Sequence, residues 1–241
     1  MRVHRIFSII VDALFSPQCA SCDAPVKTNF FPICDNCTAS LLPYTSLFCP
    51  HCGNRLPSFL SMCHKECAYI LGAGTEFNTP VAQSLVHALK YKNRKYAATV
   101  MGKFIAEYFS RTFPMHRLNA ATCIIVPVPT SRKHLRTRGY NQAVCIAREF
   151  ALFSGISEAA IQNNIVIKAR TTKSQTECVS VRERKENIKG SFAMKNGTIV
   201  RDKDIILIDD VHTTGATMRE LSLLLKQNGA RKILALVFAK T

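Results

Sequence analysis

The chain has 241 residues, 47% of them hydrophobic and 20% charged, which is the composition of a globular protein and excludes a disordered chain. Lysine and arginine total 32 against 16 acidic residues, and the formal net charge of +16 favours polyanionic partners, either nucleic acid or phosphorylated substrates. Residues 1–67 contribute only five basic and four acidic residues, so the positive excess belongs to the rest of the chain. The alternative is a basic surface that only aids solubility.

The first 15 residues, MRVHRIFSIIVDALF, place basic residues before an apolar run, as a signal peptide does. Asp12 interrupts this run, no small-residue cleavage site follows, and the run is too short to span a bilayer. Its apolar residues recur at helical spacing, so we predict an amphipathic helix over residues 1–15 that packs on its own protein. Peripheral contact with a membrane surface is the alternative. We expect a cytoplasmic protein without a transmembrane segment.

Residues 16–67 are rich in Cys and Pro, and they are too poor in long apolar runs to bury a sizeable core without a staple. Eight of the 11 cysteines fall here, in four close pairs. A CxxC turn presents two thiolates to one metal ion, and two such turns complete a tetrahedral sulfur site. We therefore predict a double zinc ribbon with two Zn²⁺ ions. The first four ligands are Cys19, Cys22, Cys34 and Cys37, and the second four are Cys49, Cys52, Cys63 and Cys67.

Two aspects of these sites stay open in the sequence. Cross-paired groupings of the four pairs are compatible with the spacing. His51 and His64 lie within the turns and could replace a cysteine, although four thiolates are already available for each ion. Free or disulfide-bonded cysteines are the disfavoured alternative, because a cytoplasmic protein keeps few disulfides. Cys123 and Cys145 stand singly in apolar surroundings, and we expect them in the core.

After Cys67, apolar strands alternate with amphipathic helices, which predicts a domain over residues 68–241. The first strand lies in AYILGAGTEF, and a helix follows in TPVAQSLVHALKY, with Thr79 at its cap and Pro80 in its first turn. The later predicted elements are a helix in YAATVMGKFIAEYFSRTF, a strand in TCIIVPVP, a helix in NQAVCIAREFALFSG, strands in NIVIKA and KDIILIDDV, a helix in TMRELSLLLKQNGA and a strand in RKILALVFAKT. Strands that are apolar throughout indicate a parallel sheet covered on both faces, hence an α/β fold.

The stretch IILIDDVHTTGAT (205–217) ends a strand with two carboxylates and opens a helix with a Thr/Gly-rich turn. Ligands of open parallel sheets bind at this strand edge. The turn's N–H groups and hydroxyls and the positive helix end suit a phosphate, while carboxylates suit the hydroxyls of a sugar. We therefore predict one ligand with a phosphate end and a ribose face. Asp209 and Asp210 are assigned to the ribose, and Thr213, Thr214, Gly215, Ala216 and Thr217 to the phosphate.

Two acids followed by a Thr-Thr-Gly-x-Thr turn resemble the phosphoribosyl pyrophosphate (PRPP) signature of type I phosphoribosyltransferases. Further stretches extend the resemblance to the ComF family over nearly the whole chain. They are the cysteine module, LKYK (89–92), VPVPTSRKHLRTRGYNQA (126–143) and KSQTECVSVRERKENIKGSF (173–192). The stretch between Gln175 and Arg184 is about one residue longer than the commoner family form. The resemblance implies a parallel-sheet phosphoribosyltransferase-like domain behind a small zinc-ribbon module.

The resemblance also implies an activity: binding of PRPP with Mg²⁺, and transfer of phosphoribose to an acceptor that the sequence does not identify. Residues 126–143 then form the pyrophosphate loop, in which Arg136 and Arg138 face pyrophosphate. Residues 173–192 form a flexible loop whose Arg184 closes over the site and joins Asp209 and Asp210 as a catalytic candidate. Holding the leaving group and the metal lowers the barrier to an oxocarbenium-like sugar electrostatically.

A second function comes from the same resemblance, because ComF proteins are associated with DNA uptake in natural transformation. On that view the chain is a non-catalytic protein that binds single-stranded DNA, acts with other competence proteins and uses a phosphoribosyltransferase scaffold. The basic excess supplies phosphate contacts. Tyr91, Tyr96 and Tyr140 are interleaved with Lys and Arg and could stack bases.

Overall fold

The computed structural model describes residues 18–26, 32–56, 63–113, 123–169 and 190–241. The helix predicted over residues 1–15 and the catalytic candidate Arg184 lie outside these ranges. Among the described helices, none has both the length and the apolar character that crossing a bilayer requires.

The cysteine-rich module is joined to the larger domain by strand pairing. It contains helix α1 (Asp35–Ala39) and the two-residue strands β1 (Leu47–Phe48) and β2 (Arg55–Leu56). Strand β1 pairs antiparallel with β2 on one side and with β3 (Ile70–Glu76) on the other. The module therefore extends the edge of the central sheet, and the two parts of the chain share one sheet.

The central sheet has six strands in the order β2-β1-β3-β8-β7-β4. Strands β4 (Cys123–Pro127), β7 (Asp204–His212) and β8 (Lys232–Lys240) complete it, and β3, β8, β7 and β4 run parallel. Buried residues cover both faces of this parallel part, which confirms the prediction made from the uniformly apolar strands. The main helices of the domain are α2 (Pro80–Tyr91), α3 (Ala97–Thr112), α5 (Gln142–Ser154) and α6 (Ala216–Gln227).

The predicted helix ends are also confirmed. The Thr79 hydroxyl accepts a hydrogen bond from the Ala82 N–H at the start of α2, and Pro80 is the first residue of that helix. Gly155 ends α5 with a φ of +72°, in the left-handed conformation that relieves a helix terminus. The orientation of α2 matters for function, because its last turn points toward the carboxyl end of β7.

Two local features differ from the sequence-based expectation. The basic stretch SRKHLRTR, expected within the pyrophosphate loop, forms helix α4 (Arg132–Arg138), because the Ser131 hydroxyl caps its first turn and Gly139 ends it with a φ of +76°. Strand β5 (Val166–Lys168) does not join the central sheet. It pairs antiparallel with β6 (Phe192–Met194), which was not predicted, since three residues carry too short a pattern to identify a strand or its partner.

Candidate functional site

A cleft of ≈ 1460 Å³ opens at the carboxyl end of β7. Its walls come from α2, from residues 128–142, from β5 and from the β7–α6 loop. This is the sheet edge at which the sequence predicted a ligand. The cleft-lining residues among the predicted site residues are Asp209, Asp210, Thr213, Gly215, Ala216, Thr217 and Arg138.

The two carboxylates have different surroundings. Asp210 is only 3% exposed, and one of its carboxylate oxygens lies 2.8 Å from the Nζ of Lys90 on α2. The Asp209 carboxylate accepts a hydrogen bond from the Asp210 N–H at 2.9 Å. Burial, followed by repulsion from Asp210, raises the pKa of Asp209 to about 7, and the Lys90 ammonium partly opposes this rise. Asp209 is therefore only partly ionised at neutral pH.

Two lysines that sequence reasoning did not assign to the site face these acids. Burial lowers the pKa of Lys90, but the carboxylates of Asp210 and Asp209 outweigh burial and leave that pKa above its ordinary value. Lys168 lines the same cleft from β5, where burial lowers its pKa and Asp209 partly offsets the effect. Lys90 lies in the LKYK stretch that carried the family resemblance, whereas no sequence signal marked Lys168.

The start of α6 is shaped by a buried aromatic pair beneath it. Gly215 has a φ of +71°, and a Cβ at this position would lie 2.8 Å from His212 Nε2 and 3.1 Å from the Tyr69 hydroxyl oxygen. Burial and, secondarily, Lys240 lower the pKa of His212 to about 4, so its imidazole is neutral at pH 7. Its Nε2 is hydrogen-bonded to the Tyr69 hydroxyl at 3.1 Å. Glycine is required here by both conformation and space.

The three threonines of the loop are not equivalent. Thr213 and Thr217 line the cleft. Thr214 is not among the described residues that line it, and its hydroxyl oxygen is buried without a hydrogen-bond partner in the described part of the chain. The cleft face of the loop thus presents two hydroxyls and the N-terminal turn of α6, an arrangement that suits an anion.

The basic segment contributes to the cleft through one of its two predicted arginines. Arg138 lines the cleft, where its guanidinium donates to the Gln142 side-chain oxygen at 3.1 Å. Arg136 is exposed and is not among the described residues of the cleft wall. Lys133 and His134 do line the wall, and burial together with the nearby cations, Arg138 first, lowers the pKa of His134. This wall is electropositive.

The three tyrosines considered for base stacking also differ. Tyr91 is 64% exposed at the end of α2, and the Arg138 guanidinium lies 5.4 Å from its ring centroid. Tyr96 is partly exposed. Tyr140 is buried and its hydroxyl donates to the Leu89 carbonyl, so the expectation that it stacks a base is wrong: its ring is part of the core.

The first cysteine cluster brings together the thiols expected from the sequence. Cys19, Cys22, Cys34 and Cys37 place their sulfur atoms within 4.8 Å of one another. The Cys22 and Cys34 sulfurs are 3.7 Å apart, and a tetrahedral ion with Zn–S bonds of about 2.3 Å requires about 3.8 Å. The Cys34 N–H also donates to the Cys19 sulfur at 3.4 Å, as suits a thiolate. These four residues fit a Zn²⁺ ion.

The second cluster has a different membership. Its four mutually close donors are the thiols of Cys49, Cys52 and Cys63 and the Nδ1 of His64, all within 4.8 Å of one another. Cys67, which the sequence suggested as the fourth ligand, is not in that group. It is half-buried and packs against the main hydrophobic core.

Comparison with known proteins adds a family context. The family model described as "Double zinc ribbon domain" matches residues 10–68, and the one described as "Phosphoribosyl transferase domain" matches residues 136–241. "Competence protein F" of Haemophilus influenzae is 30% identical over 89% of this chain and 86% of its own length. "DNA utilization protein YhgH" of Salmonella typhimurium is 28% identical over 89% and 93%. "Competence protein ComFC" of Bacillus subtilis is 23% identical over 94% and 91%.

Proposed function

Because this chain belongs to the ComF family of competence proteins, with a double zinc ribbon and a phosphoribosyltransferase domain, we propose that its cleft binds PRPP and that the protein acts in DNA uptake. One observation carries the PRPP assignment. The carboxylates of Asp209 and Asp210 and the N-terminal turn of α6 line the same cleft, at the end of one strand. A ligand with both hydroxyls and a phosphate matches this pair of surfaces.

The 5′-phosphate lies at the N-terminal turn of α6. Thr213 and Thr217 supply hydroxyls there, and the unpaired backbone N–H groups after Gly215, the N-cap residue, form the positive end of the helix. A phosphate bound by several N–H and O–H donors gains charge-assisted hydrogen bonds, which are about twice as strong as neutral ones. Gly215 lets this turn pack closely on His212 and Tyr69, where a side chain would clash.

The ribose hydroxyls donate to Asp209 and Asp210. Hydroxyls are neutral donors, so they bind next to carboxylates that would repel a second phosphate. Magnesium prefers oxygen ligands, so the carboxylates of Asp209 and Asp210, which line the cleft, would suit such an ion, and it would neutralise charge on the pyrophosphate group. Lys90 already balances Asp210 in the absence of ligand.

Pyrophosphate lies against the electropositive wall. Arg138, Lys133 and His134 line it, and Lys168 extends the positive charge toward the acid pair. Groups that hold the pyrophosphate stabilise the negative charge that it gains as its bond to the sugar breaks. The same arrangement supports phosphoribosyl transfer.

Calorimetric titration tests the proposal. PRPP is titrated, with and without Mg²⁺, into zinc-loaded full-length protein and into the variant Asp209→Asn/Asp210→Asn. Arg136→Gln, which alters an exposed residue outside the cleft wall, is the matched control. We expect Mg²⁺-stimulated binding that the double variant loses by at least about tenfold and the control retains. Absence of binding by folded wild-type protein, or equal binding by the double variant, would overturn the proposal.

Single-stranded DNA binding is a second candidate, and Tyr91 is the observation that favours it. An exposed tyrosine next to Arg138 at a basic cleft combines a stacking surface with a phosphate partner. Fluorescence anisotropy with a labelled oligonucleotide tests it. We expect affinity to fall steeply with salt and to drop in Tyr91→Ala but not in Leu152→Ala, an exposed apolar residue on α5. A flat salt dependence contradicts this candidate.

A further inference from the structure

The second cysteine cluster carries an inference that does not depend on the PRPP proposal. Its spacing is irregular, because three cysteine pairs in residues 19–52 have two intervening residues whereas Cys63 and Cys67 have three. An extra residue in a metal-binding turn changes which side chains face the ion. His64 lies directly after Cys63, inside this irregular turn.

Distances between the donors show which side chains face one point. A tetrahedral Zn²⁺ ion with Zn–S near 2.3 Å and Zn–N near 2.0–2.1 Å requires S···S edges of about 3.8 Å and S···N edges of about 3.5 Å. The Nδ1 of His64 lies 3.5 Å from the Cys49 sulfur and 3.3 Å from the Cys63 sulfur. The Cys52 and Cys63 sulfurs are 3.5 Å apart. All three edges are within about 0.3 Å of the tetrahedral values.

Cys67 is placed differently. Its thiol interacts with the Cys49 thiol, but it is not among the four donors that all lie within 4.8 Å of one another. It is half-buried and packs against the core cluster shared with the larger domain. Its N–H donates to the His64 carbonyl at 3.3 Å, so it follows the histidine in one tight turn.

A second contact restrains the ring of His64, apart from the thiols near its Nδ1. The imidazole of His51 stacks against it, with ring centroids 4.3 Å apart and an interplanar angle of 27°. His51 lies between Cys49 and Cys52, so the stacking attaches His64 to the turn that carries two of the three thiols. A stacked neighbour restricts the rotation of the imidazole and reduces the entropy lost when its Nδ1 binds a metal.

We propose that the second metal site of this chain is a Cys₃His zinc site formed by Cys49, Cys52, Cys63 and His64, and that Cys67 is not a ligand. The two ribbons then differ in chemistry, with four thiolates in the first and three thiolates and an imidazole in the second. A site with one fewer thiolate carries one unit less negative charge when zinc is bound.

The test measures metal directly and uses the full-length protein. Zinc content is determined after dialysis against a competing chelator for wild type, His64→Ala, Cys63→Ala and Cys67→Ala. Cys22→Ala, at the exposed thiol of the first cluster, is the matched control for loss of one ligand. We expect two zinc ions per chain in wild type and Cys67→Ala, and one in His64→Ala, Cys63→Ala and Cys22→Ala.

Cadmium-113 NMR of the metal-exchanged protein identifies the donor atoms and shows that the variants remain folded. Replacing sulfur by nitrogen moves a cadmium resonance upfield, so wild type should give two well-separated signals. His64→Cys restores a four-sulfur site and should move the upfield signal next to the other, whereas Cys67→Ala should change neither. Loss of one ion in Cys67→Ala, or retention of both ions in His64→Ala, would overturn the proposal. Retention of both zinc ions in His64→Ala and also in Cys67→Ala would overturn it as well, because either side chain could then act as the fourth zinc ligand.

Discussion

The Nζ of Lys90 lies 2.8 Å from a carboxylate oxygen of Asp210, and this ion pair joins the last turn of helix α2 to the end of strand β7. The lysine side chain is 22% exposed and the aspartate side chain 4%. The pair therefore occupies the floor of the cleft, where a ligand that uses Asp210 must approach the lysine as well.

Removing the charge of Lys90 should destabilise the fold. Lys90→Met keeps the aliphatic stem but leaves Asp210 as a buried carboxylate without its partner, at a cost of about 3 kcal/mol in the free energy of unfolding. Urea denaturation measures this cost. Lys90→Met/Asp210→Asn removes both charges and should recover most of it. Equal stability of wild type and the single variant would show that the pair contributes nothing to the fold.

Ligand binding at the acid pair should depend on pH through Asp209. Its pKa is raised to about 7, chiefly by burial, so the carboxyl is largely protonated at pH 6 and ionised at pH 8. Binding of PRPP with Mg²⁺ favours the ionised form, so affinity should rise over this window and proton release should accompany binding near pH 7. Titrations in buffers of different ionisation enthalpy measure the released proton, and Asp209→Asn should abolish the pH dependence.

The raised pKa of Asp209 also affects the stability of the fold, and here the effect of pH is opposite: stability should fall as pH rises. A carboxyl whose pKa is higher in the folded than in the unfolded protein stabilises the fold below the unfolded pKa, and this contribution is lost as pH rises through the folded value. Asp209→Asn should therefore raise the unfolding midpoint at pH 8 more than at pH 5. Thermal denaturation at both pH values measures the difference, and an equal shift at both would contradict the raised pKa.

Gly215→Ala should be more harmful than alanine at a comparable glycine. Both Gly215 and Gly155 have positive φ angles, +71° and +72°, and alanine in that conformation costs about 1–2 kcal/mol. At Gly155 a Cβ meets nothing within 4 Å, whereas at Gly215 it lies 2.8 Å from His212 Nε2. Urea denaturation should show a larger loss for Gly215→Ala, and PRPP affinity should fall only in that variant.

Thr217 and Thr214 should respond differently to the same isosteric change. Thr217→Val removes a hydroxyl from the cleft wall and should weaken PRPP binding about tenfold, the value of a hydrogen bond to a charged group. Thr214→Val removes a buried hydroxyl that has no partner among the described residues, so stability should not fall and affinity should change less than about twofold. The reverse order of the two affinities would place the phosphate on the other side of the loop.

Substituting the two predicted arginines, Arg138 and Arg136, should likewise have unequal effects on ligand affinity. Arg138→Gln removes a guanidinium from the cleft wall and should weaken pyrophosphate binding about tenfold. Arg136→Gln alters an exposed side chain of the same helix, and its effect should stay below about twofold. Competition between pyrophosphate and PRPP measures both variants. Equal losses would indicate a diffuse effect of net charge and not a specific contact.

The sequence by itself determined the class of fold and the place of the site. Uniformly apolar strands alternating with capped helices are sufficient to indicate a covered parallel sheet, and Asp209 to Thr217 are contiguous, so their position at a strand end follows from local pattern. The spacing of the eight clustered cysteines likewise predicts a metal-binding module, and this prediction needs no information about tertiary contacts. In each case the signal is a pattern of residue types along the chain and does not depend on which distant residues meet.

Only the tertiary structure decided which side chains from distant elements meet. Lys90 reaches Asp210 from α2, Lys168 lines the same cleft from β5, and Tyr69 is hydrogen-bonded to His212 from 143 residues away, through pairings that no local pattern encodes. It also placed Arg138 in the cleft wall and left Arg136 exposed, and brought His64 rather than Cys67 among three thiols. The physical reason is common to these cases: residue type gives the chemistry available, but packing of the whole chain sets the distances over which that chemistry acts.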